Sequence, residues 1–452
     1  MQDRGEVSVI GTGYLGTTHA ACLAEMGLRV LAFDVDAEKI AKLRQGQAPL
    51  YEPGLDDLLQ KHVASGRLRF TTELDEIGAD CEVHFLCVGT PQTDGDGSAD
   101  TSQIDTAVDA LCASIRRDCV IVGKSTVPVG TAERVALRVA SACDGADVEL
   151  AWNPEFLREG EAVRDGLMPE RLIFGVDGPR GEATLRNVYR TVIRRGTPVL
   201  VTNLATAQII KVTANSYLAM KISFINAIAE VCDAVDADVT QVASALGLDP
   251  RIGPEFLRPG IGFGGGCLPK DIRAFIHRAQ ELGIGDAVWF LRAVDEINLR
   301  SRVRAVQEAE ALLDGLAGRT VTALGAAFKP NSDDVRDSPA LDVASRLIAA
   351  GASVRLYDPA ANENARTVQP HIAYCDTVVD AARDSELILI LTDWEEFRRL
   401  DPVELGAHVA ARRVLDGRHA LDPQVWAAAG WTYRALGVPS PSAASRFAST
   451  MA

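Results

Sequence analysis

The sequence predicts an α/β chain in which two parallel-sheet units are joined by a long central helix and a small helical domain. Three observations lead there. Short apolar runs alternate with helix-spaced segments over residues 6–152, and the same alternation returns over 320–415. Between them, Thr206 to Ala234 keeps a helical apolar spacing with no proline or glycine to break it. A length of 452 residues corresponds to about three domains of ordinary size, each able to bury its own core. The expected boundaries are 1–202 for the first α/β domain, 203–317 for the helical part, 318–437 for the second α/β domain and 438–452 for a disordered tail.

Composition narrows the function classes. With 47% hydrophobic and 24% charged residues, the chain reads as a soluble globular protein. No stretch approaches the roughly 20 unbroken apolar residues of a membrane span, and no signal-peptide layout opens the sequence, so a cytoplasmic location is expected. Nine scattered cysteines without a CxxC pair indicate free thiols rather than disulfides or a zinc site. A net charge of −16 argues against general nucleic-acid binding, though not against a small anionic ligand.

Residues 6–34 read as strand, glycine turn, helix, strand. Glu6–Ile10 is followed by Gly11-Thr12-Gly13-Tyr14-Leu15-Gly16, an apolar helix, and a second strand ending at Asp34. In that setting Gly11 makes a tight turn, Gly13 lets a pyrophosphate reach the helix N-terminus, and Gly16 allows close helix–strand packing. A carboxylate at Asp34 accepts hydrogen bonds from a ribose 2′-hydroxyl and repels a 2′-phosphate. The pattern is that of a doubly wound, Rossmann-like domain that takes NAD rather than NADP. Lys39, one turn into the next helix, is within reach of the same ribose, although exposed helix lysines are as a rule simply solvated.

After a helical region to about residue 66, strands are expected at Cys81–Val88, Cys119–Gly123 and Val148–Trp152. Thr90 and the run Ser125-Thr126-Val127-Pro128 then project from carboxyl ends of parallel strands, the edge where such sheets bind ligands. The loop Asp94–Ser98 lacks the spacing and closing glutamate of a calcium loop, so no metal is expected. Asn153–Gly160 carries Glu155 and Glu159 four apart, which on a helical turn places two carboxylates on one face. Beside a cofactor such a pair divides the work of general base and hydrogen-bond acceptor. A solvated acidic helix start is the competing reading.

On the central helix, Gln208, Lys211, Asn215 and Leu218 share one face. Burial can move a lysine toward catalytic use, and a snorkelling surface lysine is the alternative. Surplus apolar faces here and on the helix reaching Leu246 predict a homodimer interface. Arg251 and Arg258 are suited to phosphate or hydroxyl groups. They precede Gly262-Phe-Gly-Gly-Gly-Cys267-Leu-Pro-Lys270-Asp271, where three glycines leave the backbone before a cysteine open to a ligand. Lys270 and Asp271 bring a cation and a carboxylate to the surroundings of the sulfur, as a tuned thiolate requires. Most free cysteines are instead small buried hydrophobes.

Helical patterns from Lys270 to about Leu316 lead into the second α/β domain, with strands at Thr320–Leu324, Ser353–Tyr357, Leu387–Leu391 and Arg413–Leu415. It has no GxGxxG, so its first turn, Gly325–Pro330, suits a ligand other than a dinucleotide. Asp416-Gly417-Arg418 follows its last expected strand.

Taken in order, GTGYLG, YEPGL (Tyr51–Leu55), STVPVGT (Ser125–Thr131), NPEFLREG, the Lys211/Asn215 helix, GFGGGCLPKD, FKPNSDDVRDS (Phe328–Ser338) and DGR resemble the UDP-glucose/GDP-mannose dehydrogenase family over residues 6 to about 437. The resemblance implies a four-electron oxidation of a nucleotide-sugar C6 alcohol to the carboxylate with two NAD⁺ in turn, UDP-glucose being the expected substrate and UDP-glucuronate the product. Cys267 would add to the intermediate aldehyde as a thiohemiacetal and carry the acid as a thioester until water releases it. An aldehyde has no hydride to give until a nucleophile makes it tetrahedral.

The same resemblance assigns Lys211 to the hydroxyl proton and the developing oxyanion, with Asn215 as a second donor. Asp271 would hold Lys211 and a water, while Glu155 and Thr126 would serve hydrolysis. It matches Gly11 to Gly16, Asp34, Lys39, Thr90, Thr126, Glu159, Cys267, Lys270 and Arg336 to the cofactor. Glu155, Phe156, Leu157, Arg158, Lys211, Asn215, Arg251, Arg258, Ile261, Phe263, Gly264, Phe328, Lys329 and Arg418 match substrate contacts, some of them from a dimer mate. Leu15 and Gly89 depart from common family residues without removing a chemical group, while Arg258, where some relatives have lysine, keeps the charge but changes the hydrogen-bonding geometry that bears on base or sugar preference. GDP-mannose or a UDP-N-acetylhexosamine remains an alternative substrate. A two-electron β-hydroxyacid dehydrogenase would need neither Cys267 nor a third domain, and a silent nucleotide sensor would not need the intact Cys267, Lys211, Asn215 and Asp271.

Overall fold

The computed structural model describes residues 6–439 apart from positions 94 and 144. The chain forms two compact units, residues up to Ala214 with Arg273–Gly285, and Asn215–Ile272 with the residues from Asp286 onward. It passes from the first to the second within the helix Leu204–Val235 and back within the helix Leu268–Glu281.

The first unit is built on β1 (Glu6–Ile10), β2 (Val30–Phe33), β3 (Leu68–Thr71), β4 (Cys81–Leu86), β5 (Cys119–Gly123), β6 (Val148–Trp152), β7 (Leu172–Val176) and β8 (Val199–Thr202). They lie in the order β3-β2-β1-β4-β5-β6-β7-β8, parallel throughout except where β7 runs antiparallel to β6. A parallel sheet is covered on both faces and needs apolar residues at successive positions, and β5, Cys-Val-Ile-Val-Gly, is buried along its whole length. Phe85, Trp152 and Phe174 are the largest side chains closed in the core. The chain leaves β1 toward β2 and returns to β4 on the other side, so the loops after β1 and β4 diverge. Such a reversal opens a crevice at the carboxyl ends of the strands.

The second unit holds β9 (Thr320–Leu324), β10 (Ser353–Tyr357), β11 (Ala373–Tyr374), β12 (Leu387–Ile390), β13 (Arg413–Asp416) and β14 (Thr432–Ala435). Their order is β11-β10-β9-β12-β13-β14 and every pairing is parallel. The two Rossmann-like sheets expected from the sequence are thus both present. Helix Phe290–Leu313 buries Ala305, Ala309 and Leu313 in the core of this sheet, while Ile225, Ala229, Cys232, Val239 and Leu257 close a smaller apolar cluster.

Several expectations change. Strands β3, β7, β8, β11 and β14 were not legible, because they are short runs of two to five residues. Asn153–Gly160 is not helical, so Glu155 and Glu159 do not share a helical face. Pro154 disfavours helix at the residue before it, Gly160 turns with φ of 77°, and the next helix begins only at Ala162. The helical pattern after Lys270 breaks at Gly283, with φ of 75°, into Leu268–Glu281, a single 3-10 turn at Gly285–Val288 and Phe290–Leu313. Asp94 of the turn-rich loop, and the expected disordered tail from Ser440 on, lie outside the described residues. Among the described residues no helix is long and apolar enough to cross a membrane, and no group of three or more His, Cys, Asp or Glu is placed to hold a metal.

Candidate active site

The crevice of the first unit begins at the β1 turn. Gly11 has φ of 90°, and a Cβ on Gly16 would lie 1.7 Å from the Gly11 carbonyl oxygen, so neither position admits a side chain. A Cβ on Gly13 would meet nothing within 4 Å, which leaves that backbone open. Helix Tyr14–Glu25 starts there with no side-chain cap and no acidic residue in its first turn. Its first N–H groups and the positive end of its dipole suit a pyrophosphate.

Asp34, buried just after β2, accepts from the Thr12 N–H at 2.8 Å, the Thr12 hydroxyl at 2.9 Å and Lys39 Nζ at 3.0 Å through one oxygen, and from the Asp36 N–H at 3.1 Å through the other. Burial alone would raise its pKa, but these donors together outweigh burial and hold it below the ordinary carboxylate value. A carboxylate fixed here fits a ribose diol, and with the open Gly13 backbone it makes the turn a fit for a dinucleotide. Lys39, expected to reach the ribose, is paired with Asp34 itself.

The loops after β4 and β5 are tied together, as the Thr90 hydroxyl donates to the Thr126 carbonyl at 2.9 Å and the Ser125 hydroxyl to the Val88 carbonyl at 2.7 Å. After β6, Glu155 accepts from the Phe156 N–H at 2.8 Å and pairs with Lys124 Nζ at 2.8 Å. The Phe156 ring lies 5.1 Å from Lys211 Nζ and 4.1 Å from the Arg171 guanidinium, two cation–π approaches. Arg158 is engaged by Asp165, with bonds of 2.9 and 2.7 Å from its guanidinium. Glu52, whose role the sequence did not disclose, stands behind this loop. Its buried carboxylate accepts from the N–H groups of Gly160 at 2.6 Å and Ala162 at 2.7 Å, and from the Tyr14 hydroxyl. Burial, then the Glu52 anion, pushes the Tyr14 phenol well above its ordinary pKa.

In the second unit Cys267 is exposed and stands immediately before helix Leu268–Glu281. Asp271, almost fully buried, accepts from Asn215 Nδ2 at 2.6 Å and Lys270 Nζ at 2.6 Å, so three of the expected catalytic and cofactor residues are brought together one turn from Cys267. Lys211 precedes Asn215 by one turn on a continuous helix.

The glycines before Cys267 have a reason other than the expected one. A Cβ on Gly264 would sit 2.2 Å from the Asp337 carbonyl oxygen, and one on Gly266 would sit 2.3 Å from the Arg336 guanidinium. Close protein neighbours, rather than a ligand alone, exclude side chains there. Phe263, just before them, is held by buried Asn298, which accepts from its N–H at 2.7 Å and donates to its carbonyl at 3.0 Å, and by Arg302 Nη2 at 3.0 Å on that carbonyl. Arg302 also pairs with Asp337 at 2.8 Å. Neither Asn298 nor Arg302 stood out in the sequence, where each reads as an ordinary polar position on a helix.

Other expected ligand residues are engaged within the protein. The Arg418 guanidinium donates to the carbonyls of Gly262 at 2.7 Å and Leu391 at 2.8 Å, and burial lowers its pKa to about 10, which leaves it charged at neutral pH. Arg336 is held bidentately by Asp334 at 2.9 and 2.6 Å. Lys329 Nζ lies 5.5 Å from the centre of the Phe328 ring. Ile261, Phe263 and Gly264 are buried, whereas the Arg251 and Arg258 side chains are 86% and 80% exposed, Arg251 held by Asp249 at 3.0 and 2.6 Å and Arg258 lying 3.7 Å from Asp393. In the turn after β9, Asp358 accepts from the N–H groups of Ala326 at 2.7 Å and Ala327 at 3.0 Å, so those donors are already used.

Comparison with known proteins agrees with this geometry along nearly the whole chain. Residues 5–193 match the NAD binding domain of the UDP-glucose/GDP-mannose dehydrogenase family, 205–300 its central domain and 322–423 its UDP binding domain. A UDP-glucose 6-dehydrogenase of Rhizobium meliloti is 40% identical over 437 residues, covering 96% of this chain and 100% of that protein. One from Bacillus subtilis is 39% identical over 437 residues, covering 96% and 94% respectively. The structure of a UDP-glucose dehydrogenase from Pyrobaculum islandicum superposes with a TM-score of 0.89 at 37% identity, covering 97% of this chain and 99% of that one. With a dinucleotide turn on the first sheet, a second doubly wound sheet and an exposed cysteine between them in sequence, the chain is an oxidoreductase that belongs to the UDP-glucose/GDP-mannose dehydrogenase family.

Proposed function

We propose that the protein oxidises C6 of UDP-glucose to the carboxylate of UDP-glucuronate, passing four electrons to two NAD⁺ in succession. The observation that carries this reading is the match, over nearly the full chain, to UDP-glucose 6-dehydrogenases at 40% and 39% identity, with Cys267 exposed at the head of its helix. NAD⁺, when bound, accepts the hydride in each oxidation. The chain's own residues do the rest. The Gly11–Gly16 turn and Asp34 orient the dinucleotide, Lys211 takes the hydroxyl proton and supports the oxyanion, and Asn215 adds a donor.

Cys267 adds to the aldehyde carbon, so that the second hydride leaves from a tetrahedral thiohemiacetal and the acid remains as a thioester. Asp271 orients Asn215 and Lys270, and Glu155 accepts a proton from the hydrolytic water, which Thr126 helps to hold. Arg251, Arg258, Lys329 and Arg418 serve the nucleotide sugar, some of them from the partner of a homodimer formed through the central helix. The reaction is assigned to the cytoplasm.

The test is to supply NAD⁺ with a limiting amount of UDP-glucose and count NADH per sugar consumed. Two NADH and UDP-glucuronate are expected. One NADH would show that oxidation stops at the aldehyde, and none with UDP-glucose but two with GDP-mannose or UDP-N-acetylmannosamine would reassign the sugar.

A further inference from the structure

Lys124 directly follows β5 and was given no role by the sequence. Its side chain is 3% exposed, and its ammonium has three acceptors for its three hydrogens: Asn153 Oδ1 at 3.0 Å, the Tyr189 hydroxyl at 3.2 Å and Glu155 Oε2 at 2.8 Å. The network behind it is closed. The Tyr189 hydroxyl donates to Asn153 Oδ1 at 2.7 Å, and Asn153 Nδ2 donates to the Ile173 carbonyl at 2.9 Å. Register explains the meeting, because Gly123 of β5 pairs with Trp152 of β6 and the Asn153 N–H bonds the Gly123 carbonyl at 2.8 Å, so the residues leaving both strands emerge side by side.

Burial by itself would lower the Lys124 pKa, but the Glu155 carboxylate outweighs burial and holds it above the ordinary lysine value. The other titratable groups around it are neutral. Burial pushes Tyr189 and Cys87 up to about 12 and Cys22 higher still, while burial and then the Lys124 charge keep His19 well below its usual value. Among the described residues Glu155 is the one carboxylate paired with Lys124. Burying an ammonium costs more than packing an apolar side chain in the same space. What the arrangement yields is a Glu155 carboxylate tied at one oxygen by Lys124 and at the other by the Phe156 N–H, yet still 21% exposed.

We propose that Lys124 is a positioning residue for thioester hydrolysis, holding the Glu155 carboxylate in the single orientation that receives the proton of the attacking water. The inference rests on the thioester route proposed above. In that step water adds to the acyl carbon on Cys267, the C–S bond breaks with sulfur leaving as thiolate, and the proton lost by the water passes to Glu155. The two oxidations that precede it do not use Lys124.

The experiment compares Lys124→Met, Glu155→Gln and the double variant in full-length protein. Stopped-flow NADH release, steady-state kinetics, intact mass and thermal midpoint are read for each. For Lys124→Met the expected result is a first-turnover burst of about two NADH per site at the wild-type rate, then a kcat lowered about 100-fold. KM for the sugar nucleotide stays near wild type, and an acyl adduct accumulates on Cys267. The double variant is no slower than Glu155→Gln, because the two residues act as one unit. It is also more heat-stable than Glu155→Gln, which strands a buried ammonium.

A kcat within about twofold of wild type, loss of the burst together with the steady state, or additive losses in the double variant overturns the proposal. If Lys124→Met does not fold, Tyr189→Phe keeps the charge and removes one of its anchors. A smaller accumulation of the same adduct supports the role, and its absence refutes it. A wild-type enzyme that yields one NADH per sugar would instead refute the thioester reading itself.

Discussion

Replacing Glu52 with glutamine tests how the loop carrying Glu155 is held. The Glu52 carboxylate takes the Gly160 N–H at 2.6 Å and the Tyr14 hydroxyl on one oxygen, and the Ala162 N–H at 2.7 Å on the other. Glutamine keeps one oxygen and turns an NH₂ toward the remaining donor, so at least one buried N–H loses its acceptor, at about 1–3 kcal/mol. The bonds that survive lose charge assistance, about 1 kcal/mol each across two of them. The sum is about 4 kcal/mol. At about 2–4 °C per kcal/mol for a unit of this size, the thermal midpoint of the first unit falls by about 10 °C. Differential scanning calorimetry reads the midpoint, and limited proteolysis reads early cleavage between Asn153 and Ala162. A midpoint within about 1 °C of wild type, with no new cleavage, would refute the reasoning, since the carboxylate would then not be what holds the loop.

Cys267→Ser should abolish acid production while leaving sugar-nucleotide binding by calorimetry near wild type; unchanged turnover would remove the thioester from the mechanism. Asp34 has a folded-state pKa below its unfolded value, so its stabilisation is present above about pH 4 and is lost as pH falls through the folded value. Asp34→Asn should therefore lose less stability than wild type as pH falls from 6 to 3 in urea melts, and equal losses would contradict the assigned donors. Gly264→Ala puts a Cβ 2.2 Å from the Asp337 carbonyl oxygen and should cost about 1–3 kcal/mol by urea midpoint, whereas a neutral result would mean that the loop yields freely.

The legible part of this chain was its local chemistry. GTGYLG reads as a dinucleotide turn because tight turning, close helix packing and an uncapped helix end each demand glycine within a few residues. The long helix was legible because unbroken apolar periodicity from Thr206 to Ala234, nearly all of a helix of 32 residues, has no other regular solution, and the alternation of strands and helices led to both doubly wound sheets. Where a reading failed, a local rule had been carried one step too far. The i, i+4 spacing of Glu155 and Glu159 mimics a helical face, but Pro154 disfavours helix at Asn153, Gly160 turns with positive φ, and no helix begins before Ala162.

Composition, motif order and periodicity by themselves determined the two sheets, the dinucleotide turn, the candidate nucleophile Cys267 and the family. Tertiary structure alone decided which polar groups meet. Glu52 reaches Gly160 across 108 positions, and Asn298 reaches Phe263 across 35. Lys124 finds Asn153 across 29 only because β5 and β6 pair in one register. The physical reason is that a hydrophobic pattern repeats along the chain and averages over many residues, whereas a buried charge needs one particular partner at hydrogen-bond distance. That partner is chosen by sheet order and register, which no local spacing encodes.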